Sequence, residues 1–325
     1  MRRAIIAGTG SYVPINRVTN DDMAKLVETS DEWIASRTGI RERRISIEEN
    51  TSDLAYEAAL RALQSAGCPA ADIDLIICAT ISPDSFMPSV ACMVQERLGA
   101  KKAAAFDLSA ACSGLIYGMA CASSFIETGM YQNIMVIGAE TLSKTLDWTD
   151  RSTCVLFGDG AGAVLLSASD TGKGISFVQL LSDGSKQDYL TLPAMALHNP
   201  LTVDQGSKPQ VISMKGQEVF KFAIRSITEH INTLLKHTEL SPEDIKYIVT
   251  HQANYRIIEQ AAKTVKIPME KFYMNLEFYG NTSAATIGIA LDEMARKDMI
   301  QSGDKLILVG FGGGMTSGAI LVEWM

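Results

Sequence analysis

Three side chains of this 325-residue sequence have types and settings suited to acyl chemistry: Cys112, His251 and Asn281. Cys112 follows the apolar run Ala103–Leu108 and opens the small, apolar stretch Ser113-Gly114-Leu115-Ile116-Tyr117-Gly118-Met119. A thiol at a helix N-terminus meets unpaired N–H groups and the positive end of the macrodipole, which favours thiolate. The N–H of Cys112 is also placed to hold an oxyanion formed on an acyl group that its sulfur carries. A cysteine among apolar neighbours is equally a small buried hydrophobe. His251 ends the run Tyr247–Thr250, where an imidazole can carry a proton or donate a hydrogen bond; a half-buried structural histidine fits the same place. Asn281, in Gly280-Asn281-Thr282-Ser283-Ala284-Ala285, reads as a helix cap or as an amide donor to a carbonyl beside His251. Phe311-Gly312-Gly313-Gly314 is either a tight turn or a place where backbone N–H groups approach a reacting carbonyl. Gly8-Thr9-Gly10 lacks the third glycine of a dinucleotide loop and reads as a strand end.

The elements that must position these residues are legible from their end signals. Ser52-Asp53 opens a helix closed by Gly67, a second spans Ser89 to Leu98 before Gly99, and a third runs from near Cys112 to just before Gly129. Between them lie the apolar runs Ile73–Ala79, Ala103–Leu108 and Ile134–Ile137, short enough for strands covered on both faces. Such alternation predicts parallel sheet with crossover helices. The sequence also repeats. Asp72–Ile77 matches Asp244–Val249, Ser109–Cys112 matches Asn281–Ala284, and Ile134–Gly138 matches Leu306–Gly310, each pair 172 positions apart. Three matches at one offset indicate duplication, with a first half at 1–170 carrying the cysteine and a second at 171–325 carrying the histidine and asparagine. Phe157-Gly158-Asp159-Gly160 resembles Phe311-Gly312-Gly313-Gly314 at an offset of 154, which places about 18 extra residues around Ser143–Thr153. Two such halves packed about a pseudo-twofold axis bring equivalent strand ends, and hence Cys112, His251 and Asn281, together.

Composition narrows the choice of function. With 47% hydrophobic and 20% charged residues the chain is globular in type. A formal net charge of −8 argues against general nucleic-acid binding. The six cysteines form no CxxC pair and share no ligand spacing with the four histidines, so neither a disulfide framework nor a metal site is expected. Most of the cysteines are expected to be buried. No apolar run approaches the ~18–20 residues of a membrane span, and the opening Met1–Gly8 reads as a buried first strand, so a cytoplasmic, membrane-free protein is expected.

Taken together, these motifs resemble those of β-ketoacyl-acyl-carrier-protein synthase III, with Thr38-Gly39-Ile40-Arg41-Glu42-Arg43, Ala110-Ala111-Cys112-Ser113-Gly114, Phe157–Ala163, His251-Gln252-Ala253-Asn254, Gly280–Ala285 and Phe311–Gly314 in the family's order. The resemblance spans essentially the whole chain. It implies a thiolase-like α/β fold of two duplicated βαβαβ-type halves in a five-layered αβαβα core. It also implies decarboxylative condensation of a short acyl-CoA with malonyl-acyl-carrier protein, initiating fatty-acid synthesis without a cofactor, in a homodimer. Cys112 would be the nucleophile, the N–H groups of Cys112 and Gly313 the oxyanion hole, and His251 and Asn281 donors to the malonyl thioester. Thiolases use a second cysteine near the C-terminus, whereas the last cysteine here is Cys154. By matching position, Trp33 and Arg151 would sandwich the CoA adenine, and Thr29, Arg37, Gly216, Ala253 and Asn254 would line the CoA path. Met87, Phe157 and Leu190 would shape the acyl pocket, Met87 from across the dimer, and Lys221 and Arg256 would receive the acidic carrier protein. Met87, where the family often has an aromatic, and Ser152, where glycine is common, depart from the pattern and leave the acyl starter open. The alternatives are a starter-unit ketosynthase of a polyketide-type pathway and a non-catalytic acyl-CoA-binding subunit.

Overall fold

The computed structural model describes residues 2–202 and 209–325. Two five-stranded sheets dominate it. The first holds β1 (Arg3–Tyr12), β2 (Leu75–Ala79), β3 (Ala104–Leu108), β4 (Asn133–Glu140) and β5 (Gly160–Ser169), in the order β1-β5-β4-β2-β3. The second holds β6 (Ile175–Ser182), β7 (Tyr247–Thr250), β8 (Phe272–Tyr273), β9 (Lys305–Gly312) and β10 (Thr316–Glu323), in the order β6-β10-β9-β7-β8. Strand for strand this is the same topology. In each sheet the first two pairings are antiparallel and the last two parallel.

Among the described residues, seven longer helices pack on the sheets: α1 (Asp31–Thr38), α2 (Thr51–Ala66), α3 (Val90–Leu98), α4 (Gly114–Glu127), α5 (Gly216–Thr238), α6 (Tyr255–Val265) and α7 (Thr286–Arg296). Local chemistry sets their ends. The Asn50 side chain caps α2 with Asp53 answering in a capping box, so the helix starts one residue before Ser52. Ser89 caps α3, whose C-cap Gly99 takes φ +70°. Side-chain alternation on the strands then builds the layers. On β4, Ile134 and Val136 face a central core while Met135, Ile137 and Ala139 face an outer one. On β9, Leu306 and Leu308 face that central core, and Ile307, Val309 and Phe311 face a second outer one. The central core contains α4 and α7, which bury Leu115, Ile116, Met119, Ile287, Leu291 and Met294 between the sheets. With α2 and α3 outside the first sheet and α5 and α6 outside the second, the order is αβαβα. Packing on both faces explains the uninterrupted apolar runs of β2 and β4; β3, expected to be covered in the same way, is an edge strand with Ala104 and Phe106 exposed.

Two expectations need correction. Gly8 and Gly10 do not end a strand but lie inside β1, across from Leu165 and Ala163, where a register shift follows Ile6. The likeness of Phe157–Gly160 to Phe311–Gly314 is not an equivalence. Phe311 and Gly312 are the last residues of β9, whereas Phe157 precedes β5 and forms an isolated bridge with Asn281. The strand registers pair Gly138 with Gly162, 24 positions apart, and Gly310 with Gly318, 8 apart. The first half therefore carries 24 less 8, or 16, extra residues there rather than 18.

Candidate active site

Cys112 is the middle residue of a 3-10 turn, Ala111–Ser113, that runs directly into α4. Ala111 holds φ +46°, and Ser283, 172 positions on, holds φ +49° in the equivalent turn at the head of α7. Left-handed backbone at a residue with a Cβ costs on the order of 1–3 kcal/mol and persists where the surroundings impose it. The surroundings here are the opposite halves. A Cβ on Gly138 of β4 would lie 2.1 Å from the Ala284 carbonyl oxygen, and one on Gly310 of β9 would lie 2.9 Å from the Ser113 Cα. These glycines stand at equivalent positions, and each admits the other half's turn against its strand. Beyond them, a Cβ on Gly312 would sit 2.6 Å from the Cys112 nitrogen. The Thr316 hydroxyl lies 2.8 Å from Ser113 Oγ and 3.0 Å from the carbonyls of Ala110 and Gly313, tying the cysteine turn to the glycine turn.

His251 follows β7, its N–H donating to the Val309 carbonyl at 2.8 Å and its ring edge-on to Phe311 at 5.0 Å. Its Nδ1 lies 2.8 Å from Thr286 Oγ1, at the first residue of α7, and Nε2 has no hydrogen-bond partner among the described residues. Burial brings its pKa down to about 3, so the ring is neutral near pH 7. Asn281 Oδ1 accepts the Ser283 N–H at 2.8 Å, which fixes the amide's orientation and leaves Nδ2 free. Its backbone is held to the first half, donating to the Leu156 carbonyl at 2.9 Å and accepting from Gly158 N–H at 3.0 Å. Asn281 is thus not the helix cap its local sequence suggests: the N-cap position is Thr282, and Oδ1 closes a local turn onto Ser283.

Two cavities meet at Cys112. One, of about 190 Å³, is lined by Cys112, His251 and Asn281 together with Gly216, Ala253 and Asn254. The other, of about 460 Å³, is lined by Cys112, Gly313, Ser283, Phe86, Phe157 and Leu190 among others. Phe157 and Leu190 border both. Met87 does not face its own chain's cavity; it is 88% exposed, and the neighbouring Phe86 lines the wall instead. Trp33 lies outside both cavities, with the Arg37 guanidinium 4.6 Å and that of Arg151 5.0 Å from its ring centroid. Arg151 thus rests on the indole itself, and also donates to the Glu28 carbonyl at 2.8 Å. Thr29 is part-buried with an unpartnered hydroxyl. Lys221 and Arg256 are exposed on the adjacent helices α5 and α6, Lys221 paired with Glu218 at 3.0 Å.

The thiol itself differs from expectation. Cys112 is only 7% exposed, and burial pushes its pKa up to about 12, with the Glu140 charge acting in the same direction. The Ser283 hydroxyl and the cysteine's own N–H draw it down only in part. A helix N-terminus alone does not make a resting thiolate here. The expected burial of most cysteines also fails: Cys78, Cys112 and Cys154 are buried, but Cys92 and Cys121 are exposed and Cys68 is half-buried. Sequence reasoning missed Thr286, the partner of His251, and Ser283, although the 172-residue offset places Ser283 on Ala111 of the cysteine turn and Thr286 on Gly114, the first residue of α4. Among the described residues, no three His, Cys, Asp or Glu side chains converge as a metal site, and no helix is long and apolar enough to cross a membrane.

This duplicated αβαβα architecture, with its cysteine turn between the sheets, is that of a condensing acyltransferase with a thiolase-like fold. The family model for the 3-oxoacyl-[acyl-carrier-protein] synthase III C terminal matches residues 235–324, and the companion 3-oxoacyl-[acyl-carrier-protein] synthase III model matches 106–184. A beta-ketoacyl-[acyl-carrier-protein] synthase III of Clostridium acetobutylicum is 55% identical over 324 residues, covering 100% of this chain and 99% of that protein. The crystal structure of 3-oxoacyl-[acyl-carrier-protein] synthase III from Aquifex aeolicus VF5 superposes with a TM-score of 0.92 at 45% identity, covering 99% of this chain and 100% of that one. The priming beta-ketosynthase from the R1128 polyketide biosynthetic pathway reaches the same TM-score, 0.92, at 31% identity, covering 99% of this chain and 96% of that one. The chain belongs to the 3-oxoacyl-[acyl-carrier-protein] synthase III family.

Proposed function

We propose that this chain transfers a short acyl group from CoA to Cys112 and condenses it with malonyl-acyl-carrier protein, releasing CO₂ and forming a β-ketoacyl-carrier protein. This is the opening condensation of fatty-acid synthesis. The observation that carries the reading is one cavity lined by a cysteine, an imidazole with one free nitrogen and an amide with a free N–H₂. The Cys112 sulfur attacks the thioester, and the N–H groups of Cys112 and Gly313 hold the oxyanion until CoA leaves. Malonyl-carrier protein then enters. His251 Nε2–H and Asn281 Nδ2–H donate to its thioester carbonyl, holding the enolate formed as CO₂ departs, and the carbanion attacks the acyl-cysteine.

Donation from Nε2 requires a particular tautomer. The Thr286 hydroxyl has one proton and two acceptors within reach, His251 Nδ1 at 2.8 Å and the Ser283 carbonyl at 3.0 Å. In the reactive form that proton points to Nδ1, which leaves the ring hydrogen on Nε2.

Gly216, Ala253 and Asn254 would line the pantetheine path, with Thr29, Trp33, Arg37 and Arg151 at its outer end. Adenine stacked on Trp33 would take the place that Arg151 now occupies, and the guanidinium would cover its other face. Lys221 and Arg256 would dock the acidic carrier protein. A second copy would pair along the edge strand β3, whose Phe106 is 38% exposed; Phe86 and Met87 are exposed as well. No resident cofactor is required by any of these steps. Product mass after incubation with acyl-CoA and malonyl-carrier protein tests the reading. A β-ketoacyl-carrier protein is expected; acyl-CoA bound without product would instead indicate a binding subunit.

A further inference from the structure

Glu140, the last residue of β4, is fully buried in the first half of the molecule. Its hydrogen bonds all fall on one oxygen. Oε2 accepts from Thr80 Oγ1, Ile81 N and Ser82 N at 3.1 Å each, and from Ser82 Oγ at 2.5 Å. Oε1 is buried without a partner among the described residues. The Lys144 ammonium is close enough to feel the carboxylate's charge, but it is held by Asn50 Oδ1 at 2.6 Å and the Pro83 carbonyl at 3.1 Å. On a turn packed against β4, Ser283 Oγ is buried and likewise without a partner among the described residues. Ser283, Thr80 and Cys112 line the same cavity. The Ser283 hydroxyl is near enough to act on both the Cys112 thiol and Glu140, yet closes a full hydrogen bond with neither. Leaving a buried polar atom unpaired costs about 1–3 kcal/mol, so two such atoms beside a nucleophile call for a role.

We infer that Glu140 holds the proton that Cys112 loses, receiving it through the Ser283 hydroxyl on acylation and returning it when condensation frees the sulfur. The inference rests on the acyl-transfer role of Cys112 proposed above. As the sulfur forms its bond to the thioester carbon, its proton passes to Ser283 Oγ, and the serine's own proton passes to Glu140 Oε1. The CoA thiolate expelled in this step takes a proton from solvent. In the second half-reaction the carbanion attacks the acyl carbon and the cysteine leaves as thiolate, which recovers the proton from Glu140 through Ser283. One proton is consumed per turnover, as the loss of CO₂ from a malonyl carboxylate requires. Burial raises the pKa of both the Glu140 carboxyl and the Cys112 thiol, a direction that suits a group that takes up a proton and a nucleophile that gives one up as it reacts.

The test is the pH dependence of single-turnover acylation, read as the mass of acyl-Cys112, for Glu140→Gln and Ser283→Ala. Glutamine keeps an oxygen for the four donors but accepts no proton. Glu140→Gln is expected to acylate about 10²–10⁴-fold more slowly at pH 7, and the deficit should shrink about tenfold per pH unit as hydroxide takes over. Ser283→Ala, which removes only an unpartnered hydroxyl, should show the same shape and carries the test if Glu140→Gln does not fold. Parental rates in both variants, or an equal loss at every pH from about 6 to 9, would overturn the proton-holding role. Absence of acyl-Cys112 in the unmodified protein would instead refute the function on which the inference rests.

Discussion

Replacing Asn281 by alanine removes two interactions made by opposite ends of one amide, and their costs fall on different observables. Oδ1 accepts the Ser283 N–H at 2.8 Å, and losing it strands a buried donor, a cost of about 1–3 kcal/mol in stability. Nδ2 has no partner among the described residues, and Asn281 lines a cavity with His251 and Cys112; losing one such donor to a developing oxyanion slows a reaction about 10²–10³-fold. Asn281→Asp separates the two, because a carboxylate retains the acceptor for Ser283 and has no donor. Decarboxylation of malonyl-carrier protein on preformed acyl-enzyme should therefore fall by that factor in both variants. Only the alanine variant should lose the stability that belongs to the turn at the head of α7. Acylation of Cys112 should stay within a few-fold of parental in the alanine variant, since the first oxyanion rests on backbone N–H groups. The assays are ¹⁴CO₂ release, acyl capture on Cys112 and thermal unfolding. Parental CO₂ release by Asn281→Ala would show that Asn281 only closes the turn, and the assigned donor role would be wrong.

Three further outcomes follow from the same geometry. Gly312→Ala places a Cβ 2.6 Å from the Cys112 nitrogen, where backbone must give way; acylation should drop about 5- to 160-fold, the equivalent of an overpacking strain of about 1–3 kcal/mol, and unchanged acylation kinetics would contradict the packing. Burial sets the His251 pKa at about 3, below its ordinary 6.5, so the ring is neutral throughout the working range; CO₂ release from preformed acyl-enzyme should show no inflection near pH 6.5, and one there would mean that the imidazole charges. Arg256→Glu should raise the KM for malonyl-carrier protein and reduce its salt dependence while sparing acyl-CoA loading, whereas equal losses in both half-reactions would assign Arg256 to CoA binding or stability.

Much of this was legible because duplication writes the same pattern twice. The offset of 172 places Ile134–Gly138 of β4 on Leu306–Gly310 of β9 and the cysteine turn on the Ser283 turn, so equivalence could be read without coordinates. It failed at Phe157 and Phe311, where similar letters serve a loop bridge in one half and a strand in the other. Glycine clusters mark close approach but not which backbone approaches, and Gly310 shows its purpose only against Ser113. The thiol was misjudged for a related reason. A helix N-terminus is visible in sequence, whereas the burial that overrides it arises from the second sheet packing over α4. Glu140 is a lone acid ending an apolar strand, a signal available from the start, but that one of its oxygens is buried unpaired, on a strand packed against the Ser283 turn, shows only in the fold.

The central claim is that Cys112 carries the acyl group and that His251 and Asn281 act on the acceptor. Rapid-quench intact mass, followed by peptide mapping, tests it most directly. On mixing with acyl-CoA the chain should gain one acyl mass, on Cys112 and on none of the other five cysteines. On mixing that species with malonyl-carrier protein, the adduct should disappear at the rate at which CO₂ and β-ketoacyl-carrier protein appear. An adduct on another residue, or an acyl-Cys112 that persists while product forms, would contradict the account.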